Sequence, residues 1–379
     1  MKRVFLIAGE SSGDLHGSAL MGRMKAHMPD IEFRGIGGSL MVREGLDPIR
    51  HVHEMNFMGL AEVIRHLPFI RRTMKECEKS IESWHPDLVI LIDYPGFNLR
   101  FAPLVKKRGI PVMYYISPQL WAWHKSRVSL VKKYVDRMVV LFDFEERFYK
   151  KHGIRVDFVG HPLIDVVRPS QDLESFRRSL GLEKDIPLVG LLPGSRVQEI
   201  KRILPVMLDS ITMLKEKVGS VAAVLACAPD IEDSIYQQYL ENSDIIPMRG
   251  MGYDIMAHSD ALAVTSGTAT LESGILGTPM VILYRTSFLT YIIGRYLVTI
   301  PDIGLINIVA GSRIVTELCQ FDVTGENIAS HLETFLNNTS IREKFVQALH
   351  VVKTKLGASG ASDRAARIAL EMVEDKKTL

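Results

Sequence analysis

The sequence predicts an α/β protein built from two consecutive doubly wound halves, and three observations carry that expectation. Five short apolar runs, "RVFLIAG", "DLVILID", "PVMYYIS", "RMVVLF" and "VDFVGHP", recur through the first half with amphipathic segments between them. Five more, "PLVGLLPGS", "VAAVLACAP", "DIIPMRG", "ALAVTSG" and "PMVILYR", repeat that order in the second half. Between the two series, "VVRPSQDLESFRRSLGLEKDIP" is polar, charged and proline-containing, which places a domain boundary near residue 170. Runs apolar on both faces suit strands of a buried parallel sheet, and their alternation with helices suits a doubly wound one. The halves share element order only, with no sequence repeat strong enough to mark a duplication.

Helices are expected near residues 14–28, 68–84, 98–108, 124–134 and 144–152 of the first half. Pro68 suits a first helical turn, and Ile70, Met74, Cys77 and Ile81 then form one apolar stripe. The expected domains are therefore 1–170 and 171–345, both Rossmann-like. Residues 346–379 are helical on both sides of a Gly/Ser break, and are expected to pack back on the first domain or on a partner chain in a homodimer. Ligands of such sheets lie beyond the carboxyl ends of the strands, so the cleft between the domains is the expected active site.

At 379 residues the chain exceeds one ordinary core. Its 46 basic and 44 acidic residues nearly balance, which argues against wholesale nucleic-acid binding. Cys77, Cys227 and Cys319 lie far apart without a CxxC pair, so neither a disulfide framework nor a zinc site is expected and a reducing cytoplasm is the natural setting. "MKRVFLIAGESSGD" reads as a first strand and not as a cleaved leader, and no run is long enough to span a membrane. No two aspartates stand two apart and HExxH is absent, so no metal is expected.

The glycine loops carry the chemistry. "AGESSGD" sits where a dinucleotide loop would, but lacks GxGxxG, and Glu10 puts a negative charge where a pyrophosphate would lie. Two readings remain: a tight turn capped by Ser12 or Asp14, and a sugar-contacting loop presenting Glu10, Ser11 and Ser12. "RGIGGSLM" at 34–41 is a second glycine loop, equally weak alone. "LLPGSRVQEI" is more informative: Gly194 breaks the chain after a strand, Ser195 can cap the next helix, and Arg196 falls in its first turn. Backbone N–H groups and a guanidinium there suit a diphosphate, the helix terminus alone contributing about 0.3–1 kcal/mol. In "TSGTATLES", Gly267 and Thr268 open another helix, and Glu272 can accept the two hydroxyls of a ribose or simply stabilise the first turn.

Asp93 ends a hydrophobic strand in "LIDYPGFN" and is a candidate general base, a role that contributes roughly 100- to 10,000-fold. In "SPQLWAWHKSR", Trp121 offers a ring face to a sugar, although core packing explains such a residue as well. Between 55 and 76, Phe57, Met58, Leu60, Val63, Ile64, Leu67 and Phe69 alternate with Arg65, His66, Arg71, Arg72 and Lys75. That mixture suits an anionic lipid surface, and a helix pair packed on the sheet is the alternative.

"AGESSGD", "IDYPGFN", "SPQLWAW", "LLPGSR", "SGTATLE" and "NIVAG", in that order across the whole chain, resemble the lipid-A-disaccharide synthases. The resemblance implies the GT-B fold, with two facing Rossmann-like domains, the acceptor mainly on the first and the nucleotide sugar mainly on the second. It implies an inverting, metal- and cofactor-independent transfer of the sugar of UDP-2,3-diacylglucosamine to the 6-hydroxyl of 2,3-diacylglucosamine 1-phosphate, on the cytoplasmic face of the inner membrane. Residue by residue, it makes Asp93 and Arg196 essential, puts Glu10 and Asn307 in active-site loops, and puts Glu272 where UDP binds. One departure is visible: Gly96 stands where the family has a second acid after the proline, so that acid is dispensable or its role has moved. A UDP-N-acetylglucosamine 2-epimerase on the same fold is the alternative, but it would need no lipid-facing stretch at 57–70. A binding module without turnover would need neither Asp93 nor Arg196, and a hydride-transferring enzyme would need the missing dinucleotide fingerprint.

Overall fold

The computed structural model describes residues 1–55, 65–121, 127–241, 243–286, 291 and 302–375. Two compact units emerge, one formed by residues 1–165 with 357–379 and the other by residues 166–356.

In the first unit the strands are β1 (Lys2–Ala8), β2 (Ile31–Gly37), β3 (Leu46–His51), β4 (Leu88–Ile92), β5 (Val112–Tyr115), β6 (Arg137–Val140) and β7 (Val156–Phe158). They form one parallel sheet in the order β3-β2-β1-β4-β5-β6-β7. The central strands are apolar on both faces because both faces are covered. Phe5, Ile7, Val89 and Leu91 pack one way, against Cys77 and Ile81 of helix Leu67–Trp84 and Phe101 and Val105 of helix Pro95–Lys106.

Strands β2 and β3 are not apparent in the sequence pattern. "IEFRGIG" interrupts its apolar residues with Glu32, Arg34 and glycine, and β3 carries Pro48, which only a sheet edge tolerates. Gly35 is required: its φ is +148°, and a Cβ there would lie 1.8 Å from the Leu6 carbonyl oxygen of β1. "RGIGGSLM" is the end of a strand running into helix Ser39–Arg43.

The second unit repeats the plan with β8 (Leu188–Leu192), β9 (Ala222–Cys227), β10 (Ile246–Arg249), β11 (Ala261–Thr265), β12 (Met280–Tyr284) and β13 (Glu317–Cys319). The order is β10-β9-β8-β11-β12-β13, again parallel. Ser170 and Gln171 already belong to it, because their N–H groups donate to the buried Asp254 carboxylate at 2.9 and 3.0 Å.

The two C-terminal helices part company. Thr339–Lys355 stays with the second unit, where it packs on helices Thr268–Leu276 and Leu305–Ala310 and buries Leu349 and Val352. Ala361–Glu374 joins the first unit along helix Ser11–His27, tied by Lys2 Nζ to the Val373 carbonyl at 2.9 Å and by His27 to Asp363 at 2.7 Å. The chain changes unit at Gly357 and Gly360, both left-handed, later than the 346 expected from sequence.

Each sheet has one point where strand order reverses, between β1 and β4 in the first unit and between β8 and β11 in the second. Loops flanking such a reversal diverge to opposite faces and leave a crevice at the carboxyl ends of the strands. All four of those loops are motifs picked out above: "AGESSGD" and "IDYPGFN" in one unit, "LLPGSR" and "SGTATLE" in the other.

Candidate active site

In the first unit, β1 and β4 run in register with Ala8 beside Ile92, so Gly9 and Asp93 leave the sheet side by side. The Tyr94 ring fills the space over Gly9, where a Cβ would come within 2.3 Å of it. Glycine at position 9 therefore lets the two loops close on one another. Asp93 and Tyr94 adopt φ of +44° and +47°, a left-handed conformation that costs non-glycine residues about 1–3 kcal/mol each. Hydrogen bonds hold it in place: Asn98 Nδ2 donates to the carbonyls of Asp93 (2.7 Å) and Ile92 (3.2 Å), Tyr114 donates to the Asp93 carbonyl (2.5 Å), and Asp93 N–H donates to the Tyr115 carbonyl (3.0 Å).

Burial and the charge of Glu10 push the Asp93 carboxyl up to about 7, against a lowering contribution from the Tyr94 N–H. Such a group exchanges a proton near neutral pH, which suits general-base chemistry. Glu10 itself is exposed, as are Ser11 and Ser12.

The cap expected for this first helix is different. Glu10 is the N-cap residue and no side chain caps the helix. Asp14 is buried and turns instead to the neighbouring loop, accepting N–H bonds from Gly38 (2.7 Å), Leu40 (3.1 Å) and Met41 (3.0 Å). It thus supplies the missing partners at the start of helix Ser39–Arg43.

In the second unit Gly194 has φ +105°, and a Cβ there would lie 2.5 Å from Glu199 Oε2. Ser195 does not cap the following helix, and Arg196 is not in its first turn. Arg196 is the N-cap residue, extended at φ −120° and ψ 138°, because its carbonyl already accepts from Glu199 and Ile200, and the helix runs Val197–Val218 with no side-chain cap. Its first N–H groups are left without a side-chain acceptor, and the exposed Arg196 guanidinium pairs with Glu199 at 2.9 Å. N–H groups at a helix start and a guanidinium are both donors to an anion, and here Glu199 already engages the guanidinium.

Across the reversal, Gly267 is the N-cap residue of the likewise uncapped helix Thr268–Leu276, and Gly267 and Thr268 are exposed. Glu272 accepts a hydrogen bond from the Tyr253 hydroxyl at 3.2 Å, and burial raises its carboxyl. Asn307 is completely buried. Its Nδ2 donates to the Val315 carbonyl (2.8 Å) and Glu317 (2.7 Å), and its Oδ1 accepts from the N–H groups of Ile314 (3.0 Å) and Val315 (2.9 Å). Its side chain thus ties helix Leu305–Ala310 to the 313–317 segment.

Of the apolar stretch singled out in the sequence, Phe57, Met58, Leu60, Val63 and Ile64 lie outside the described residues. Leu67 is half-buried at the start of its helix, and Phe69 packs against the core with the Arg50 guanidinium 5.6 Å above its ring. Trp121 is half-buried, donates to Glu145 at 3.2 Å and stands edge-on to Phe144. Among the described residues no cluster of His, Cys, Asp or Glu could hold a metal ion, and no helix is long and apolar enough to cross a membrane.

Sequence reasoning missed Asn98, Tyr114, Tyr253 and Glu145. Asn98 was within a quoted motif, whereas the acid that "DFEERFY" places after the strand is Asp143 and not Glu145. Nothing local marked the two tyrosines.

Two doubly wound parallel-sheet units with their polar loops gathered at the strand reversals define the GT-B fold class. The UDP-GlcNAc 2-epimerase from Neisseria meningitidis, solved bound to UDP-GlcNAc, is similar with a TM-score of 0.64 at 13% identity, covering 98% of this chain and 100% of that one. The calicheamicin glycosyltransferase CalG4 is similar with a TM-score of 0.64 at 15% identity, covering 100% of both chains. The family model described as lipid-A-disaccharide synthetase matches residues 4–371, and the lipid-A-disaccharide synthase of Syntrophus aciditrophicus is 43% identical over 376 residues, 98% of each chain. The chain belongs to the lipid-A-disaccharide synthetase family, and it is a glycosyltransferase of lipid A disaccharide formation.

Proposed function

We propose that the enzyme transfers the diacylglucosaminyl group of UDP-2,3-diacylglucosamine to the 6-hydroxyl of 2,3-diacylglucosamine 1-phosphate, with inversion and without a metal ion. The acceptor oxygen forms a bond to C1 of the donor as the bond from C1 to the diphosphate oxygen breaks. Asp93 takes the hydroxyl proton, and UDP leaves. The observation that carries this reading is the Asp93 carboxyl, held at the strand reversal beside Glu10 and pushed up to about 7.

Glu10, Ser11, Ser12 and Trp121 face the acceptor sugar in this reading. On the donor side, Arg196 and the N–H groups of Gly194 and Ser195 receive the departing diphosphate. The uncapped helix behind Arg196 supports that assignment. Gly267 and Thr268 face the nucleotide, and Glu272, oriented by Tyr253, accepts the ribose hydroxyls. Asn307 acts through the loop it braces. The acyl chains lie against the apolar stretch from Phe57 to Phe69, at the cytoplasmic surface of the inner membrane.

The test is to incubate the purified protein with both diacyl substrates and EDTA. The expected products are UDP and a β-1,6-linked tetraacyl disaccharide phosphate. Loss of turnover on chelation, an α linkage, or epimerisation of UDP-N-acetylglucosamine in place of transfer would overturn the reading. Arg196→Ala is expected to lower kcat about 100- to 1,000-fold, the usual loss for one donor to developing negative charge.

A further inference from the structure

Helix Asp143–Lys151 carries a carboxyl group that the chemistry above does not use. Glu145, in its first turn, is 4% exposed. Trp121 Nε1 donates to its Oε1 at 3.2 Å, and the Trp121 ring meets Phe144 edge-on at 5.0 Å. One turn further along the same helix, the Tyr149 hydroxyl lies 2.9 Å from Ser117 Oγ. The helix therefore holds the segment at Ser117 and again at Trp121, with Leu120 buried between them.

That loop begins beside Asp93. Tyr115 accepts the Asp93 N–H, Tyr114 donates to the Asp93 carbonyl, and Ile116 turns the chain out of β5 at φ +65°. The loop therefore continues directly from the two residues that hold the Asp93 backbone. Hydrogen bonds from Trp121, Ser117 and the backbone of Leu141 and Phe142 favour a charged Glu145, but burial outweighs them and pushes it up to about 8. An uncharged side chain of the same shape fits that environment.

We propose that Glu145 is a positioning residue for the acceptor pocket, holding the 117–121 loop in place beside Asp93 through the Trp121 indole. The inference rests on the reading that the acceptor binds next to Asp93.

Glu145→Gln, Glu145→Leu, Trp121→Phe and the Leu/Phe double variant decide it, through KM for each substrate and thermal unfolding. Glu145→Leu removes the acceptor of the indole N–H and is expected to raise the acceptor KM about tenfold, with the donor KM unchanged. Glu145→Gln, which still accepts from the indole, is expected to stay within about twofold of wild type. The double variant is expected to be no worse than the more harmful single one, as for two residues that act as a unit. An unchanged acceptor KM, an equal rise in both KM values, or multiplicative effects would overturn the proposal. If Glu145→Leu fails to fold, Glu145→Met, close to glutamate in length and without an oxygen acceptor, carries the same acceptor-specific prediction. Asp93→Asn, assayed alongside, separates the failures: full activity there removes the acceptor reading itself, whereas an inactive Asp93→Asn with an unaffected Glu145→Leu removes only the positioning role.

Discussion

Asp93 owes its properties to residues that are distant in sequence. Its place at the end of an apolar strand is legible in "LIDYPGFN", and that alone marks it as a candidate. Its proton affinity is not legible there, because the dominant cause is burial and the next is Glu10, brought alongside by the pairing of β1 with β4. The proposed reaction uses the deprotonated form, so kcat/KM is expected to rise with pH and reach half its plateau near pH 7. Glu10→Gln removes a charge that raises the Asp93 value, so the rising limb should move to lower pH. A limb that stays in place, or moves up, would contradict this electrostatic coupling. The same reasoning shows why Asn307 is hard to judge from "NIVAG": the motif marks its position, but only the fold reveals an amide fully occupied inside the protein.

At the scale of elements, period and punctuation identified the long central strands and the helix with Pro68 in its first turn. They failed where an element is built by its neighbours. Strand β2 exists because Gly35 lets it approach β1, and β13 is only three residues long. Helix starts were also misread. Ser and Asp near a turn suggest local caps, yet Asp14 serves the adjacent loop, and Arg196 begins its helix by backbone geometry alone. Asp14→Ala strips three N–H groups of their acceptor, so a loss of about 1–3 kcal/mol is expected in urea denaturation. An unchanged midpoint would show that the 38–41 turn does not depend on it.

The whole molecule repeats one design twice, a parallel sheet whose strand order reverses beneath two candidate site loops. Element order along the chain announced both sheets, and six motifs in sequence announced the family. The return of the last helix to the first unit depends on matching faces and on contacts such as His27 with Asp363, which no local pattern contains. Transfer needs a group that accepts the acceptor's proton and a place for the leaving diphosphate, and each unit carries candidates for one of these at its reversal. The proton-accepting role of Asp93 is the central claim. It is tested most directly by single-turnover transfer with Asp93→Asn at pH 8, with thermal unfolding measured in parallel. The raised carboxyl binds its proton more tightly folded than unfolded, so ionised Asp93 lowers stability increasingly as pH rises from about 4 through about 7. The neutral variant should therefore unfold at or above the wild-type temperature at pH 8 while transferring at least about 100-fold more slowly. A well-folded Asp93→Asn enzyme that transfers at the wild-type rate would contradict the account.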